Sequence, residues 1–587
     1  MARLPRPRLG WRTVLVAAVV AVLAAVGLFA WQAASTATAL ARAGQQASAL
    51  GDQLATGDAT SAERVAAALQ DSAARARRDS DGPLWAVAAH VPVLGDDVRA
   101  VRVVARETDR IAREALPPVL DVAQDVRLEA FSPADGRIDV ANLVAARPQI
   151  TAAADVLTTA QQAVATIDVT GLVGRLQVPV RRLRDAVDVA ATSATVAAHA
   201  ADLLPPMLGA QEPRRYLLIV QNNAEARSLG GIPGSWAVIE TDRGRLEMTR
   251  QGSTFDIPPV DRAPRPVPDE ELSVYPSTTA TDFRNTTIDA DFPSAARYAA
   301  ALAADVTGAP FDGVVSVDPV TLGHLLDGVG EIVLDDGTRL TADTAVDELL
   351  NGVYRRYADD PLGQDAVFED AARRIFDAFV GGDGDTQAML RGLVRAAGAN
   401  RVMVWSRDAA EQEVLAETGL GGVLSQDPDV ASVGVFVSDA SASKMQYYLD
   451  TASSLRPLRC VDDSAQELRL VTRLGSTVES DARLPASVQG VARGLERGEQ
   501  RLNLRIVAPP GGAIRDLAVN GEARTIAGGR LDRRWVTILP IVVGPQESVS
   551  VTATVVTGPG QTGEPVLTTT PGVRPTSNDV RSASACG

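Results

Sequence analysis

A polar run that follows an apolar stretch contains the residues whose types and spacing favour ligand binding most. The apolar residues 216–220 predict a buried strand, and Asn223, Glu225 and Arg227 come soon after it. Open α/β sheets place their ligands beyond the ends of such strands. A guanidinium binds phosphate through two parallel hydrogen bonds, and an amide adds a further donor. The run therefore predicts an anion site that includes Arg227 and Asn223.

The glycines that follow this run, Gly230, Gly231 and Gly234, have two interpretations. They predict a turn whose backbone N–H groups are available to an anion. They equally predict a tight connection to a second strand that begins at Trp236. The Gly-Lys-Ser/Thr ending of a nucleotide-binding P-loop is absent from the sequence, so the glycines alone favour the connection.

A second candidate group lies at the end of a predicted helix. Arg355 and Arg356 are adjacent there, and Asp365 follows nine residues after Arg356. Two arginines can bind a diphosphate, while Asp365 or Glu225 can hold Mg²⁺. A solvated helix end, where cations are favoured by the helix dipole, is the interpretation that spacing alone favours.

Composition restricts the class of protein. A chain of 587 residues is too long for one hydrophobic core, so several domains are expected. A hydrophobic content of 46% argues against global disorder. The net charge of −16 argues against nucleic acid as a partner, because phosphate backbones need a basic surface.

The amino terminus predicts a membrane segment. Four arginines lie in the basic tail 1–12, and an apolar run over 13–31 is about long enough to span a bilayer. Because the arginines precede the run, we expect a single-pass anchor with a cytoplasmic amino terminus and the bulk of the chain outside the membrane. A cleaved signal peptide is the alternative.

The rest of the chain divides by its residue patterns into four regions. Periodic apolar residues predict a helical stalk over 32–205, and alternating strands and helices predict an α/β domain over 213–458. Short β-type runs over 459–556 predict a β-sandwich, and the composition of 557–587 predicts a disordered tail. The sequence therefore predicts a multidomain α+β protein. Whether Cys460 and Cys586 form a disulfide stays open.

Several motifs in order resemble a family of bacterial envelope proteins, the domain-of-unknown-function 4012 (DUF4012) family. The chain segments that carry this resemblance lie at residues 82–97, 221–235, 311–319, 349–354 and 443–449. Residues 213 to about 380 are more distantly similar to the LytR-CpsA-Psr fold, an α/β/α layered domain of membrane-anchored enzymes. Those enzymes transfer glycopolymers from polyprenyl diphosphate to the cell wall.

The LytR-CpsA-Psr resemblance implies roles for particular residues. Arg227, Arg355 and Arg356 would bind diphosphate, and Glu225 would lie near an acidic position of that family. The chain departs from the family at two motifs, where residues 228–235 replace Arg-Ser-Asp-Thr and residues 367–370 replace Arg-Gln-Gln.

Two functions follow as hypotheses. In the first, the protein binds or transfers a polyprenyl-diphosphate-linked glycan in cell-envelope polysaccharide biogenesis, with Mg²⁺ as a possible cofactor. If it is an enzyme, it is then a glycopolymer (phospho)transferase. In the second, it is a non-catalytic structural or scaffold protein of the envelope.

Overall fold

The computed structural model of the chain describes residues 11–56, 59–92, 94–125, 136–382, 384–425, 427–490, 492–574, 577–580 and 584–586. The chain divides into two compact units. The first comprises Met1–Ala130 and Val140–Pro205, and the second comprises Phe131–Asp139 and Pro206–Gly587.

The first unit is helical, as the sequence predicts. Its α-helices, with a π-helical segment at Ile111–Ala115, are α1 (Trp11–Thr56), α2 (Ala59–Ser80), α3 (Pro83–Ala88), α4 (Gly95–Arg110), α5 (Leu116–Asp125), α6 (Val140–Ala165) and α7 (Gly174–Met207). Small side chains let these helices approach closely: Ala43 of α1 is buried with Ala62, Ala66 and Ala73 of α2. Alanine therefore supplies much of the packing surface of this unit.

Helix α1 has two parts of different character. Its residues between Val16 and Trp31 include many large apolar side chains that are exposed, such as Leu23 and Val26. Its later residues Ala39, Ala43 and Leu50 are buried. Within the described residues, this is the one helix long and apolar enough to cross a membrane, with a candidate span at Ala18–Gly51. A signal sequence near the amino terminus satisfies the same criteria.

The second unit begins with a mixed five-stranded sheet in the order β3-β2-β1-β4-β7. Its strands are β1 (Arg214–Arg227), β2 (Gly230–Asp242), β3 (Arg245–Ser253), β4 (Gly313–Val317) and β7 (Met403–Ser406), and a two-stranded ribbon is formed by β5 (Ile332–Val333) and β6 (Arg339–Leu340). The β1–β4 pair is parallel, whereas the other neighbouring pairs are antiparallel.

Helices accompany this sheet along the chain. They are α8 (Asp269–Val274), α9 (Thr278–Thr281), α10 (Phe292–Thr307), α11 (Pro319–Val329), α12 (Ala345–Asp347), α13 (Val353–Arg356), α14 (Pro361–Gly381), α15 (Thr386–Gly398) and α16 (Ala409–Ala416). Short 3-10 turns lie at Thr254–Asp256, Phe283–Ile288 and Gly419–Gly421, and a π-helical turn lies at Glu348–Gly352.

The alternation of side chains along β1 explains how the sheet is covered. Leu217 and Ile219 are buried in a cluster with Phe292 and other residues of α10. Tyr216 and Leu218 contribute to a different cluster that includes Phe376 of α14. Because successive side chains of a strand point to opposite faces, both faces of the sheet are buried under helices.

Two further sheets complete the second unit, in the orders β13-β12-β16-β10-β9-β18 and β14-β15-β11-β8-β17. Their elements, with a 3-10 turn at Met445–Tyr448, are β8 (Ser432–Asp439), β9 (Leu449–Val461), β10 (Ala465–Ser476), α17 (Ala486–Gln489), β11 (Gln500–Val507), β12 (Ala513–Val519), β13 (Glu522–Ala523), β14 (Gly528–Leu531), β15 (Arg534–Val543), β16 (Ser548–Val556), β17 (Val566–Thr569) and β18 (Ser577–Val580). One hydrophobic cluster draws on both sheets, with Val435 of β8 and Leu470 of β10 among its members.

Two sequence predictions about this part of the chain need correction. The boundary at 458/459 divides strand β9. Strand β8, which the sequence assigned to the α/β domain, belongs to one of the two later sheets. The predicted disordered tail contributes β17 and β18, each the outer strand of its sheet. Cys460 and Cys586 form a disulfide, which anchors the end of this tail.

Candidate functional site

The polar run lies inside strand β1 and not beyond its end, because β1 continues to Arg227 and β2 begins at Gly230. Of the two interpretations of the glycines, the strand connection fits better: Gly230, Gly231 and Gly234 lie in β2, opposite the polar run, and only two residues separate β2 from β1. Register shifts follow Val220 and Asn222. The side chain of Gln221 stabilises this irregular pairing, since its Nε2 donates to Ser316 Oγ at 2.8 Å and its Oε1 accepts from Gly231 N at 2.7 Å.

Asn223 is fully enclosed and binds other parts of the chain. Its Nδ2 donates to Asp318 Oδ2 at 3.0 Å and to the carbonyl oxygen of Pro571 at 3.2 Å. Asp318 also accepts from Arg401 Nη1 at 2.6 Å, and both charged side chains are buried. The structure thus places Asn223 in a network that excludes solvent, apart from the other predicted site residues.

Glu225 and Arg227 are neighbours on β1, with Arg227 Nη2 3.3 Å from Glu225 Oε1. Arg227 also donates to the backbone oxygen of Ala226 and to Asn285 Oδ1. The second carboxylate oxygen of Glu225 lies 3.7 Å from Lys444 Nζ. Glu225 therefore lies between two cations that come from distant parts of the sequence.

Lys444 also contacts α13, the short helix that carries Tyr354. Its ammonium lies 5.0 Å from the ring centroid of Tyr354, a cation–π arrangement. The Tyr354 hydroxyl accepts from Asn222 Nδ2. Burial, followed by the nearby Glu225 carboxylate, raises the pKa of Tyr354 well above its usual value, so the ring stays neutral beneath the cation.

Asp365, on α14, contributes negative charge to the same region. Burial and the Asp256 carboxylate raise the pKa of Asp365, while Ser253 and Lys444 lower it. The next turn of α14 carries Glu369, whose pKa is raised by burial and by Asp256 and Asp365. Three carboxylates are therefore close enough to interact, with Lys444 as the nearby cation.

The two remaining arginines of the sequence prediction face other partners. Arg356 Nη1 binds Glu348 Oε2 at 2.7 Å, and its Nη2 donates to Thr338 Oγ1 at 3.0 Å. Arg355 is exposed and lies near Tyr448, whose hydroxyl donates to Asn351. Burial raises the pKa of Tyr448, and the charge of Arg355 partly offsets this rise. Among the described residues, the partners of Arg356 differ from those of Arg227, and the single diphosphate site that combines the two arginines stays a prediction.

We use "Lys444 site" for the group Glu225, Arg227, Tyr354, Asp365 and Lys444. Sequence reasoning found Glu225, Arg227 and Asp365 but missed Lys444, which is the only lysine in the sequence. The presence of one lysine in a sequence whose other basic residues are mostly arginine, in a short segment before β9, could have drawn attention to Lys444. Its position beside β1 depends on the packing of the later sheets and could not be read from spacing.

The predicted metal ligands are Glu225 and Asp365, and Glu225 is already paired with cations. Both oxygens of Glu225 face cations, Arg227 and Lys444, which neutralise its charge. Over the ranges that the structure describes, no group of three or more His, Cys, Asp or Glu side chains is arranged to hold a metal ion. Mg²⁺ stays a prediction, and we assign it no step. The site combines a guanidinium, an ammonium and carboxylates, and Glu225 is paired with both cations.

Comparison with known proteins adds one finding about this region. Residues 211–354 match the model of a family described as a protein of unknown function, DUF4012. No curated protein and no solved structure matches the chain. The matched segment contains Glu225, Arg227 and Tyr354, whereas Asp365 and Lys444 lie beyond it.

Proposed function

Because residues 211–354 form a domain of the DUF4012 family, and because an apolar helix near the amino terminus is able to anchor the chain, we propose a function at the membrane. The protein binds a polyprenyl-diphosphate-linked glycan outside the membrane, in cell-envelope polysaccharide biogenesis. Binding occurs at the Lys444 site, with the diphosphate near Lys444 and sugar hydroxyls near Asp365.

One observation carries this proposal: Lys444 brings together two carboxylates and a neutral tyrosine ring from three separate parts of the chain. Its ammonium lies beside Glu225 on β1, over Tyr354 on α13 and within electrostatic reach of Asp365 on α14. Its side chain keeps 22% exposure, so a ligand can reach it. Arg227, with 8% exposure, acts mainly by positioning Glu225.

The proposal is one of binding and does not include glycopolymer transfer. The resemblance to LytR-CpsA-Psr enzymes implies transfer through arginines that act together on a diphosphate. Here Arg356 is bound to Glu348 and Thr338, away from the partners of Arg227. The contacts therefore support recognition of the carrier at the Lys444 site and give no separate support to catalysis.

The test is a binding titration of the full chain in detergent micelles with polyprenyl diphosphate, with and without Mg²⁺. The Lys444→Gln variant should bind at least about ten-fold more weakly, since a charge-assisted hydrogen bond to phosphate is lost. Arg356→Gln is the matched control and should bind like the natural protein. Inorganic diphosphate in a parallel titration separates recognition of the headgroup from recognition of the lipid.

Two outcomes count against the proposal. The first is no measurable binding at micromolar carrier, and the second is an unchanged affinity of Lys444→Gln. If Arg356→Gln loses as much affinity for the carrier as Lys444→Gln does, the result would favour the combined arginine site that the sequence predicts.

The alternative function is that of a non-catalytic scaffold in the envelope, in which the later sheets dock other components. Two ion pairs within the chain favour this alternative: Arg227 pairs with Glu225, and Arg356 pairs with Glu348, so both guanidinium groups already have carboxylate partners. In that case Lys444→Gln, Arg227→Gln and Arg356→Gln leave the cells unchanged, while deletion of 459–556 harms them.

A further inference from the structure

A second set of polar donors lies where β4 ends beside the later half of β1. Asp318 directly follows β4 and accepts from both Asn223 Nδ2 and Arg401 Nη1. Its carboxylate therefore fixes the direction of two buried donors. The carboxyl ends of parallel strands are where open α/β sheets bind their ligands, so this position is the expected place for an occupant.

The occupant is the chain's own segment Thr570–Arg574. Asn223 Nδ2 donates to the Pro571 carbonyl at 3.2 Å, and Arg401 Nη2 donates to the Gly572 carbonyl at 2.6 Å. The Thr570 hydroxyl donates to the Ser228 carbonyl at 2.9 Å. Most of these bonds involve the backbone of the segment, so the donors recognise an extended peptide more than a particular sequence.

One side chain of the segment adds an apolar anchor. Val573 is buried in a cluster with Ala224 of β1 and Leu350. On one side of the segment, β17 pairs with β8, and on the other side β18 pairs with β9, each over four residues. The segment thus passes across the end of β1 between two short outer strands.

The disulfide retains this segment. Cys586 lies twelve residues after Arg574 and is bonded to Cys460, in the last part of β9. An intramolecular tether gives the segment an effective concentration of about millimolar order at its site. Because β17 and β18 are only four residues each, the covalent bond contributes much of what holds the tail in place.

We propose that Thr570–Arg574 is an intramolecular ligand in a peptide-binding site formed by Asn223, Arg401 and Asp318, and that reduction of the disulfide opens this site to an extended peptide from another chain. A dithiol reductant breaks the Cys460–Cys586 bond and supplies two electrons and two protons to form two thiols, while the dithiol becomes a disulfide. The inference is independent of the Lys444 site.

Hydrogen exchange of the full chain in micelles, oxidised and after reduction by a phosphine, tests the release. The Val437 amide donates to Thr570 Oγ1, and the Thr570 amide donates to the Val435 carbonyl. Reduction should raise exchange at least about ten-fold over 432–437 and 566–574. The Cys460→Ser/Cys586→Ser variant is the control: it should exchange fast from the start and should not respond to the phosphine.

Binding of a labelled peptide, Thr-Thr-Pro-Gly-Val-Arg (residues 569–574), tests the site itself. The reduced protein should bind it at least about ten-fold more tightly than the oxidised protein. A peptide in which the residue equivalent to Val573 is Asp should bind at least about ten-fold more weakly, and this change carries no risk to the fold of the protein. Unchanged exchange after complete reduction, or equal peptide binding by the two forms, overturns the proposal.

Discussion

Asp289 shows how one buried carboxyl group makes the second unit sensitive to pH. It is almost fully enclosed, and its Oδ1 accepts from the backbone N–H of Asp291. Burial, followed by the Asp291 carboxylate, raises the pKa of Asp289 from 3.8 to about 8. The folded protein therefore holds a proton at Asp289 at pH values where the unfolded chain has released it.

The sign of the effect follows from linkage. Between pH 4 and pH 8 the folded state binds more protons at Asp289 than the unfolded state does, so stability falls as the pH rises through this window. The side chain that the Asp289→Asn variant carries at this position is neutral at every pH. We predict that the unfolding free energy of this variant, relative to that of the natural protein, is at least about 1 kcal/mol higher at pH 8 than at pH 4. Chemical unfolding of both proteins at the two pH values measures this gain. A constant difference between them contradicts the assignment.

The residue scale also shows what the sequence could and could not predict about the site. Glu225, Arg227 and Asp365 were recognisable because charged side chains beside an apolar strand or helix are rarely needed for packing. Lys444 was not recognised as their partner, because it lies 219 residues after Glu225 and contacts that residue only through the fold of the later sheets. Asn223 was grouped with them, whereas the structure encloses it and bonds it to Asp318 and Pro571, because burial cannot be read from an amide in the sequence.

Strand β1 is the element on which both the Lys444 site and the Asn223 network depend. The sequence predicted its apolar half but ended it at Val220, because amides, alanine and glutamate have low strand propensity. The structure extends it to Arg227 because side-chain hydrogen bonds from Gln221 replace the regular pairing at its bulges. Tertiary hydrogen bonds here outweigh local propensity.

The close approach of β1 and β2 gives a test at the element scale. A Cβ on Gly231 would lie 2.2 Å from the backbone carbon and oxygen of Asn222, an overlap that only backbone movement can relieve. We therefore predict that Gly231→Ala costs at least about 2 kcal/mol of stability and weakens carrier binding at the Lys444 site. Thermal unfolding and the binding titration measure the two effects.

Gly398→Ala is the control for this prediction, since a Cβ at Gly398 meets nothing within 4 Å. It should unfold within about 0.5 kcal/mol of the natural protein. If Gly231→Ala were as stable as Gly398→Ala, the bulged pairing of β1 with β2 would not be as described.

At the scale of the whole molecule, the order of regions was predictable and their boundaries were not. The helical part and the alternating α/β part follow from the periodicity of apolar residues. The tail was misread because its Gly, Pro, Thr and Ser content is typical of disorder, whereas short outer strands and a disulfide hold it in place. Composition does not reveal a partner that lies more than a hundred residues away.

The amino-terminal helix gives the prediction that belongs to this scale. If α1 is a retained anchor, the mature protein keeps residues 1–31 and sediments with membranes, since about 20 apolar residues suffice to span a bilayer. Intact-mass analysis of the protein purified from membranes measures this directly. A mature chain that begins after residue 31, recovered in the soluble fraction, would show that the segment is a cleaved signal sequence.

The central claim is that a carrier diphosphate binds at the Lys444 site, and a hydrogen-exchange footprint tests it most directly. With polyprenyl diphosphate added to the full chain in micelles, we predict slower exchange at 222–227, 353–369 and 444–448. Exchange at residues 338–348, which include the Arg356 partners Thr338 and Glu348, should be unaffected. Protection centred on 338–348, or no protection at a carrier concentration that saturates binding, would contradict the account.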